Sequence, residues 1–261
     1  MVEANDFRPA FTPAVAAEFI GTFLVTFLSA ACAANAADNG LAVAALGTGF
    51  AYAMITYSTV HISGGQLNPA ITAGYMVVAA NGFAIREGIS YMLAQLTGAV
   101  AGAFLVKSIL PIEALVHPFV TLGSLSDKHG EQVFILEFFC TMILGMVTFA
   151  TVVDRKNNLA DNAAPLAIGF AYTIGMFAEG PYTGGSMNPA RTLGPAIAFG
   201  DLSHVWYYLL ATFSGGIVSA LLYRYALGVV EQEMTEAGGA VDAEQGTEEK
   251  DKGYRYPKRM V

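Results

Sequence analysis

HISGGQLNPAITAG, residues 61–74, is answered 120 residues later by PYTGGSMNPARTLG, residues 181–194. Each copy sets a Gly-Gly pair ahead of Asn-Pro-Ala and then runs on through a short apolar segment, 68–80 in the first case and 188–199 in the second. Asn is a strong helix N-cap, and Pro suits the first helical position, where its missing N–H would have had no partner anyway. Asn-Pro-Ala therefore reads as a compact helix start. Both apolar segments have about half the length a bilayer demands. Short, interrupted apolar segments in corresponding places of two halves point to re-entrant half-helices at a repeat interface.

The rest of the chain supplies the membrane that such half-helices need. Of 261 residues, 54% are hydrophobic and 13% charged, which excludes an ordinary soluble domain. Thirteen of the 34 charged residues lie between Glu231 and Arg259, so the first 230 positions are poorer still in charge. The formal charge of −8 resides largely in that tail and says nothing about a substrate. With no basic face, nucleic acid is excluded as a partner. Cys32 and Cys140 each sit in an apolar run and read as small buried hydrophobes, not as a disulfide or a metal cage, and the sequence calls for no metal and no cofactor. The first apolar segment, Ala14 to Ala36, is too long for a signal-peptide core and is expected to remain as a transmembrane helix.

Six segments are long enough to span: about 12–36, 41–60, 88–110, 131–152, 163–179 and 203–226. They fall into two equivalent sets. GFAY stands at 49–52 and again at 169–172; Glu18 and Thr22 are matched by Glu137 and Thr141; Tyr91, Ala94 and Gly98 are matched by Tyr208, Ala211 and Gly215. Three colinear anchors at offsets of 117 to 120 residues define a duplicated unit, repeat 1 at about 12–110 and repeat 2 at about 131–226. Three spans per unit is an odd number, so the second copy enters the membrane from the opposite side and the halves are inverted. Arg8, Arg86, Arg155, Lys156 and Arg224 fall on one side against Lys107 and Lys128 on the other, which predicts that both termini are cytoplasmic. The expected domains are thus a cytoplasmic segment 1–11, a channel domain 12–226 and a disordered acidic tail 227–261.

Placed near mid-membrane, Asn68-Pro69-Ala70 and Asn188-Pro189-Ala190 bring two helix amino ends, each partly positive, close together. The preceding segments are expected to run extended and to turn carbonyl groups into a polar cavity, since irregular backbone is tolerated at that depth only where it is enclosed by protein or lines such a cavity. The asparagine amides would then offer hydrogen bonds to a neutral molecule at the centre, while cations and protons meet the positive helix ends.

On both NPA boxes, the AEF-GT opening of the first span at Ala17 to Thr22, HISGG-LNPA and NPAR--GPA, the chain resembles the major intrinsic protein family, the aquaporins and glycerol facilitators, over about residues 12–226. The resemblance implies an all-α membrane protein, a bundle of six transmembrane helices plus two re-entrant half-helices in an inverted repeat. It also implies a homotetramer with one pore per subunit, and a passive channel for water and small neutral solutes in place of an enzyme. Plasma membrane is the default location, with an organelle membrane as the alternative. Glu18 and Glu137 are expected to accept hydrogen bonds from the re-entrant loops, and His61 to pack against them.

Four filter positions carry over by gap-free counting from the NPA boxes: Thr48, Met176, Gly185 and Arg191. Arg191 is permanently charged, and the first copy has Ile71 in its place, so one constriction is expected instead of two. Water-specific members usually carry Phe and His at the first two positions, and typical glycerol facilitators an Asp after the arginine, where this chain has Thr192. Thr48 is expected to widen the opening and flexible Met176 to narrow or yield, so that water passes and glycerol, urea, ammonia or hydrogen peroxide can pass with it; the alternative is a facilitator mainly for a non-water neutral solute. An ion-coupled carrier would require an acid in the spans beyond Glu18 and Glu137, and none is expected there.

Overall fold

The computed structural model describes residues 13–111, 123–154 and 163–227; most of the loops expected at 111–130 and 154–162, Arg8, Arg155, Lys156, the segment 1–11 and the acidic tail lie outside the described residues. Eight α-helices follow one another along the described residues: α1 Pro13–Asn39, α2 Leu41–Ser63, α3 Pro69–Val77, α4 Ile85–Ile109, α5 Gly130–Thr148, α6 Ala164–Thr183, α7 Pro189–Phe199 and α8 Val205–Tyr225. A π-helical turn, Phe149–Val153, extends α5. No strand occurs among the described residues.

Five helices, α1, α2, α4, α5 with its extension, and α8, are long and apolar enough to cross a membrane. The sixth, α6, has 20 residues, enough for a core of about 30 Å. Its hydropathy is held down by Glu179 and the Gly180-Pro181 pair. It also runs four residues past its expected end at 179, through Pro181. The loop at 123–125 makes this possible: Ser124 and Leu125 donate backbone N–H groups to the carbonyls of Pro181 and Tyr182, and the Tyr208 hydroxyl donates to Thr183. The last-turn carbonyls thus find partners outside the helix.

The halves pack as equivalents. In the first, α1 lies against α2 and α4; in the second, α5 lies against α6 and α8. Between halves α2 crosses α6 antiparallel: the Cβ of any side chain at Gly180 would sit 2.9 Å from Leu41, one at Gly49 within 2.4 Å of the Gly169 carbonyl, and one at Gly169 2.5 Å from the Gly49 carbonyl. GFAY is repeated, in part, because its glycine is the crossing point. Each half-helix is held mainly by the third span of the other half. Gly216 of α8 meets the Ala70 carbonyl of α3, and Gly194 of α7 abuts Ala99 of α4. Lys107, near the end of α4, donates to the Ala198 carbonyl near the end of α7 at 2.6 Å, and Arg224, near the end of α8, donates to Val78 just past α3 at 2.6 Å. Each cation thus meets the partly negative carboxyl end of the opposite half's short helix.

Candidate functional site: the paired re-entrant loops

The two loops that carry the motif have nearly the same backbone. Gly64 and Gly184 close α2 and α6 in the left-handed region, at φ 90° and 87°, where a side chain would be strained. Leu67 and Met187 also take positive φ, 50° and 51°, uncommon for residues with a side chain. Both are fully buried. Leu67 fills the space beside Gly21, and Met187 the space beside Gly175. Helix α2 continues to Ser63, so only 64–68 runs irregularly, a shorter stretch than expected.

Buried carboxylates hold these strained turns. Glu18 accepts from the Ser63 hydroxyl at 2.6 Å, the Gln66 and Leu67 N–H groups at 2.9 and 2.7 Å, and the Gln95 amide at 2.7 Å. Glu137 accepts from the Thr183 hydroxyl at 2.7 Å and from the Ser186 and Met187 N–H groups at 2.9 and 2.8 Å. Tyr91 and Tyr208 brace the loops by donating to the Ser63 and Thr183 carbonyls. His61 does not take the loop-packing place expected of it. It is exposed, because α2 persists through Ser63 and two positions on a helix, about 200° apart, face opposite sides. Ser63 makes the contact instead.

Asn68 and Asn188 cap α3 and α7: their side-chain oxygens accept from Ala70 and Ala190 N–H at 2.9 and 2.8 Å, with Pro69 and Pro189 in the first turn. The half-helices meet by exchange, since the Asn68 amide donates to the Met187 carbonyl and the Asn188 amide to the Leu67 carbonyl, each at 2.8 Å. Each amide was expected to donate to a permeating molecule at the centre, and its second hydrogen is the one left for that. In the structure it is taken by a tyrosine: Asn68 donates to the Tyr172 hydroxyl at 2.9 Å and Asn188 to the Tyr52 hydroxyl at 2.8 Å. The two rings stack on each other with centroids 3.5 Å apart and planes 11° apart. Both tyrosines belong to the GFAY repeats, each 16 residues ahead of its own half's asparagine, and that register was the signal in the sequence.

One turn from the tyrosines lie the residues counted as the filter. Thr48 precedes Tyr52 by four residues and Met176 follows Tyr172 by four, so in antiparallel helices both stand on the same side of the stack. A Cβ on Gly185 would come 2.5 Å from the Met176 sulfur. Arg191 donates from Nε to the Gly185 carbonyl at 2.8 Å, from one terminal nitrogen to the Ser29 hydroxyl at 3.2 Å and from the other to Gly184 at 3.5 Å. Met176, Gly185 and Arg191 are thereby brought together. Thr48 is aligned with them by helix register, and its hydroxyl, like that of Thr56 one turn beyond Tyr52, has no protein partner.

Glu179 overturns the reading that the spans hold no acid beyond Glu18 and Glu137. It lies in the penultimate turn of α6, fully buried, with the Cys140 side chain beside its carboxylate. It falls at the end of the span expected at 163–179, where a terminal acid is easily taken for an interfacial one. Cys32 and Cys140 are free and half-buried. No metal-binding cluster occurs among the described residues.

Comparison with known proteins agrees with this architecture. A family model described as Major intrinsic protein matches residues 7–223. Probable aquaporin TIP2-2 of Oryza sativa subsp. japonica is 33% identical over 230 residues, covering 85% of this chain and 90% of the relative. Aquaporin TIP2-1 of Arabidopsis thaliana is 36% identical over 228 residues, covering 84% and 89%. The X-ray structure of the aquaglyceroporin from Plasmodium falciparum superposes with a TM-score of 0.73 at 24% identity, covering 83% of this chain and 96% of that one, and so shares its fold.

Proposed function

Because this chain belongs to the major intrinsic protein family, we propose that it is a passive transmembrane channel for water and small neutral solutes, not an enzyme. The observation that carries the reading is the head-to-head pair of half-helices, with Arg191 on one of them only. Two partly positive helix ends at mid-membrane and a permanent cation beside them oppose ions and protons, and leave neutral hydrogen-bonding molecules as the permeants.

Asn68, Pro69, Ala70, Asn188, Pro189 and Ala190 build the central junction in this reading, Thr48, Met176, Gly185 and Arg191 the outer filter, and Glu18 and Glu137 the support of the loops. The filter passes glycerol, urea, ammonia or hydrogen peroxide besides water, since Thr48 is small and Met176 pliable. The protein sits in the bilayer as a homotetramer, each subunit with its own pore and both termini cytoplasmic.

Stopped-flow light scattering on proteoliposomes tests this. An osmotic jump should shrink them faster than protein-free vesicles, and imposed proton or sodium gradients should leave the rate unchanged, whereas a carrier working through Glu179 would respond to them. Thr48→Phe should lower glycerol and urea uptake more than water flow. Shrinkage no faster than in empty vesicles, with no solute uptake, would refute the channel.

A further inference from the structure

We propose that Tyr52 and Tyr172 form a second, central selectivity element in this pore, an aromatic pair that closes the junction of the half-helices and limits flux more than the Arg191 constriction does. This rests on the channel reading above. Rings 3.5 Å apart and nearly parallel are in van der Waals contact, so no molecule passes between them. Nor does one pass beside them at the asparagines. Each amide has two hydrogens, and on both residues one is spent on the opposite loop's carbonyl and the other on a tyrosine hydroxyl. Asn68 and Asn188 are 0% exposed, Tyr52 2% and Tyr172 1%, which leaves almost no surface for a water-sized molecule at the centre.

A purely structural pair of core tyrosines would look different in two respects. Core tyrosine hydroxyls commonly settle on backbone, as Tyr91 does here and as Tyr208 does beside its bond to Ser126, whereas Tyr52 and Tyr172 accept from the two side chains that the half-helices aim at the passage. One turn to either side of Tyr52, α2 also carries hydroxyls that are buried and have no protein partner, Thr48 and Thr56. The pair thus interrupts a row of polar side chains along α2.

Passage requires the rings to part and both Asn–Tyr hydrogen bonds to be exchanged for bonds to the permeant. The element admits small molecules with a hydrogen-bond acceptor, which replace the tyrosine oxygen on each amide as they advance. It gives an apolar solute no such exchange, and the half-helix ends continue to oppose cations.

The test compares wild-type protein with Tyr52→Val/Tyr172→Val and Tyr52→Phe/Tyr172→Phe at equal, quantified incorporation into vesicles. The valine pair should raise water permeability per subunit about tenfold and lower its activation energy, because the conducting form is no longer a minor population. The phenylalanine pair keeps the rings and frees the amides, and should give a smaller rise, again with lower activation energy. A gain of flux at equal incorporation cannot arise from misfolding. If the valine pair does not fold, the phenylalanine pair decides. The proposal is overturned if the variants that fold match wild type in permeability and activation energy while all exceed empty vesicles, an outcome that leaves the channel reading standing. If wild type and variants alike stay at the empty-vesicle rate, the channel reading falls and the proposal with it.

Discussion

The two halves differ most where the permeant arrives and least where the loops are anchored. Gly64 and Gly184, Leu67 and Met187, Asn68 and Asn188 agree in φ to within three degrees, and the hydrogen bonds into Glu18 and Glu137 match almost donor for donor. Opposite Arg191 stands Ile71, opposite Met176 stands Thr56, opposite Thr48 stands Ile168, and opposite Glu179 stands Thr59. Paired residues hold strained backbone in place, which both halves need alike. Single-copy residues give the two ends of one passage different chemistry.

Even the anchoring is not fully symmetric, and it carries the largest energies. Glu18 satisfies four donors and Glu137 three, the extra one being Gln95, whose place in the second half is taken by Thr212. Gln95 also donates to Thr72, tying α4 into the first loop. Removing a carboxylate strands buried donors at about 1–3 kcal/mol each, so Glu18→Ala should cost about 4 kcal/mol or more. Glu137→Ala should cost about 1 kcal/mol less, with one donor fewer to strand. Thermal unfolding of the lipid-supplemented, detergent-solubilised protein checks the order: both midpoints should fall, that of Glu18→Ala further. Equal losses would mean that the Gln95 bridge adds nothing and the halves are anchored alike.

Next in size is a substitution that makes the second half copy the first. Arg191→Ile installs the residue of position 71 and removes the charge that its three hydrogen bonds hold in the loop. A unit charge about 8 Å from a passing cation opposes it by about 2 kcal/mol at an effective dielectric near 20. Proton leak into vesicles carrying a pH-sensitive dye should accordingly rise roughly thirtyfold. No rise would place the ion barrier wholly in the half-helix ends, which the two halves share.

The same division explains what could be read from the sequence. Half-helices, caps and the arginine were visible because Asn, Pro and Gly act through local backbone chemistry, and because a lone arginine in an apolar chain needs explaining. The tyrosine pair was not: an aromatic in an apolar run looks like any core residue, and only the crossing of α2 and α6 brings Tyr52 over Tyr172 and both over the asparagines. Its trace was the register of GFAY with Asn-Pro-Ala in both halves. The end of α6 lies beyond its sequence-based limit for a related reason, since Pro181 suggests a stop unless distant groups donate to the carbonyls of the last turn, and those groups, Ser124, Leu125 and Tyr208, come from other parts of the chain. His61 lies next to the motif in sequence, but helix phase turns it outward.

The smallest effect concerns the far ends of the half-helices. Lys107 and Arg224 occupy equivalent places in the third spans, yet each serves the short helix of the other half, reaching Ala198 and Val78 at the same 2.6 Å. A cation at a helix carboxyl end is worth about 0.3–1 kcal/mol, toward the upper figure when partly buried as here. Lys107→Met and Arg224→Met should each therefore cost about 1 kcal/mol, read as a small fall in the unfolding midpoint. The double variant sharpens the comparison. The two sites share no neighbour and lie at opposite ends of the bundle, which predicts additive losses to within about 0.5 kcal/mol. But α3 and α7 also touch head to head through Asn68 and Asn188, so a loosened α3 could loosen α7 in turn. A double loss well beyond the sum would show that the half-helices fail as one unit; additivity, the expected result, makes each half-helix an anchor held by the opposite half's third span and independent of the other.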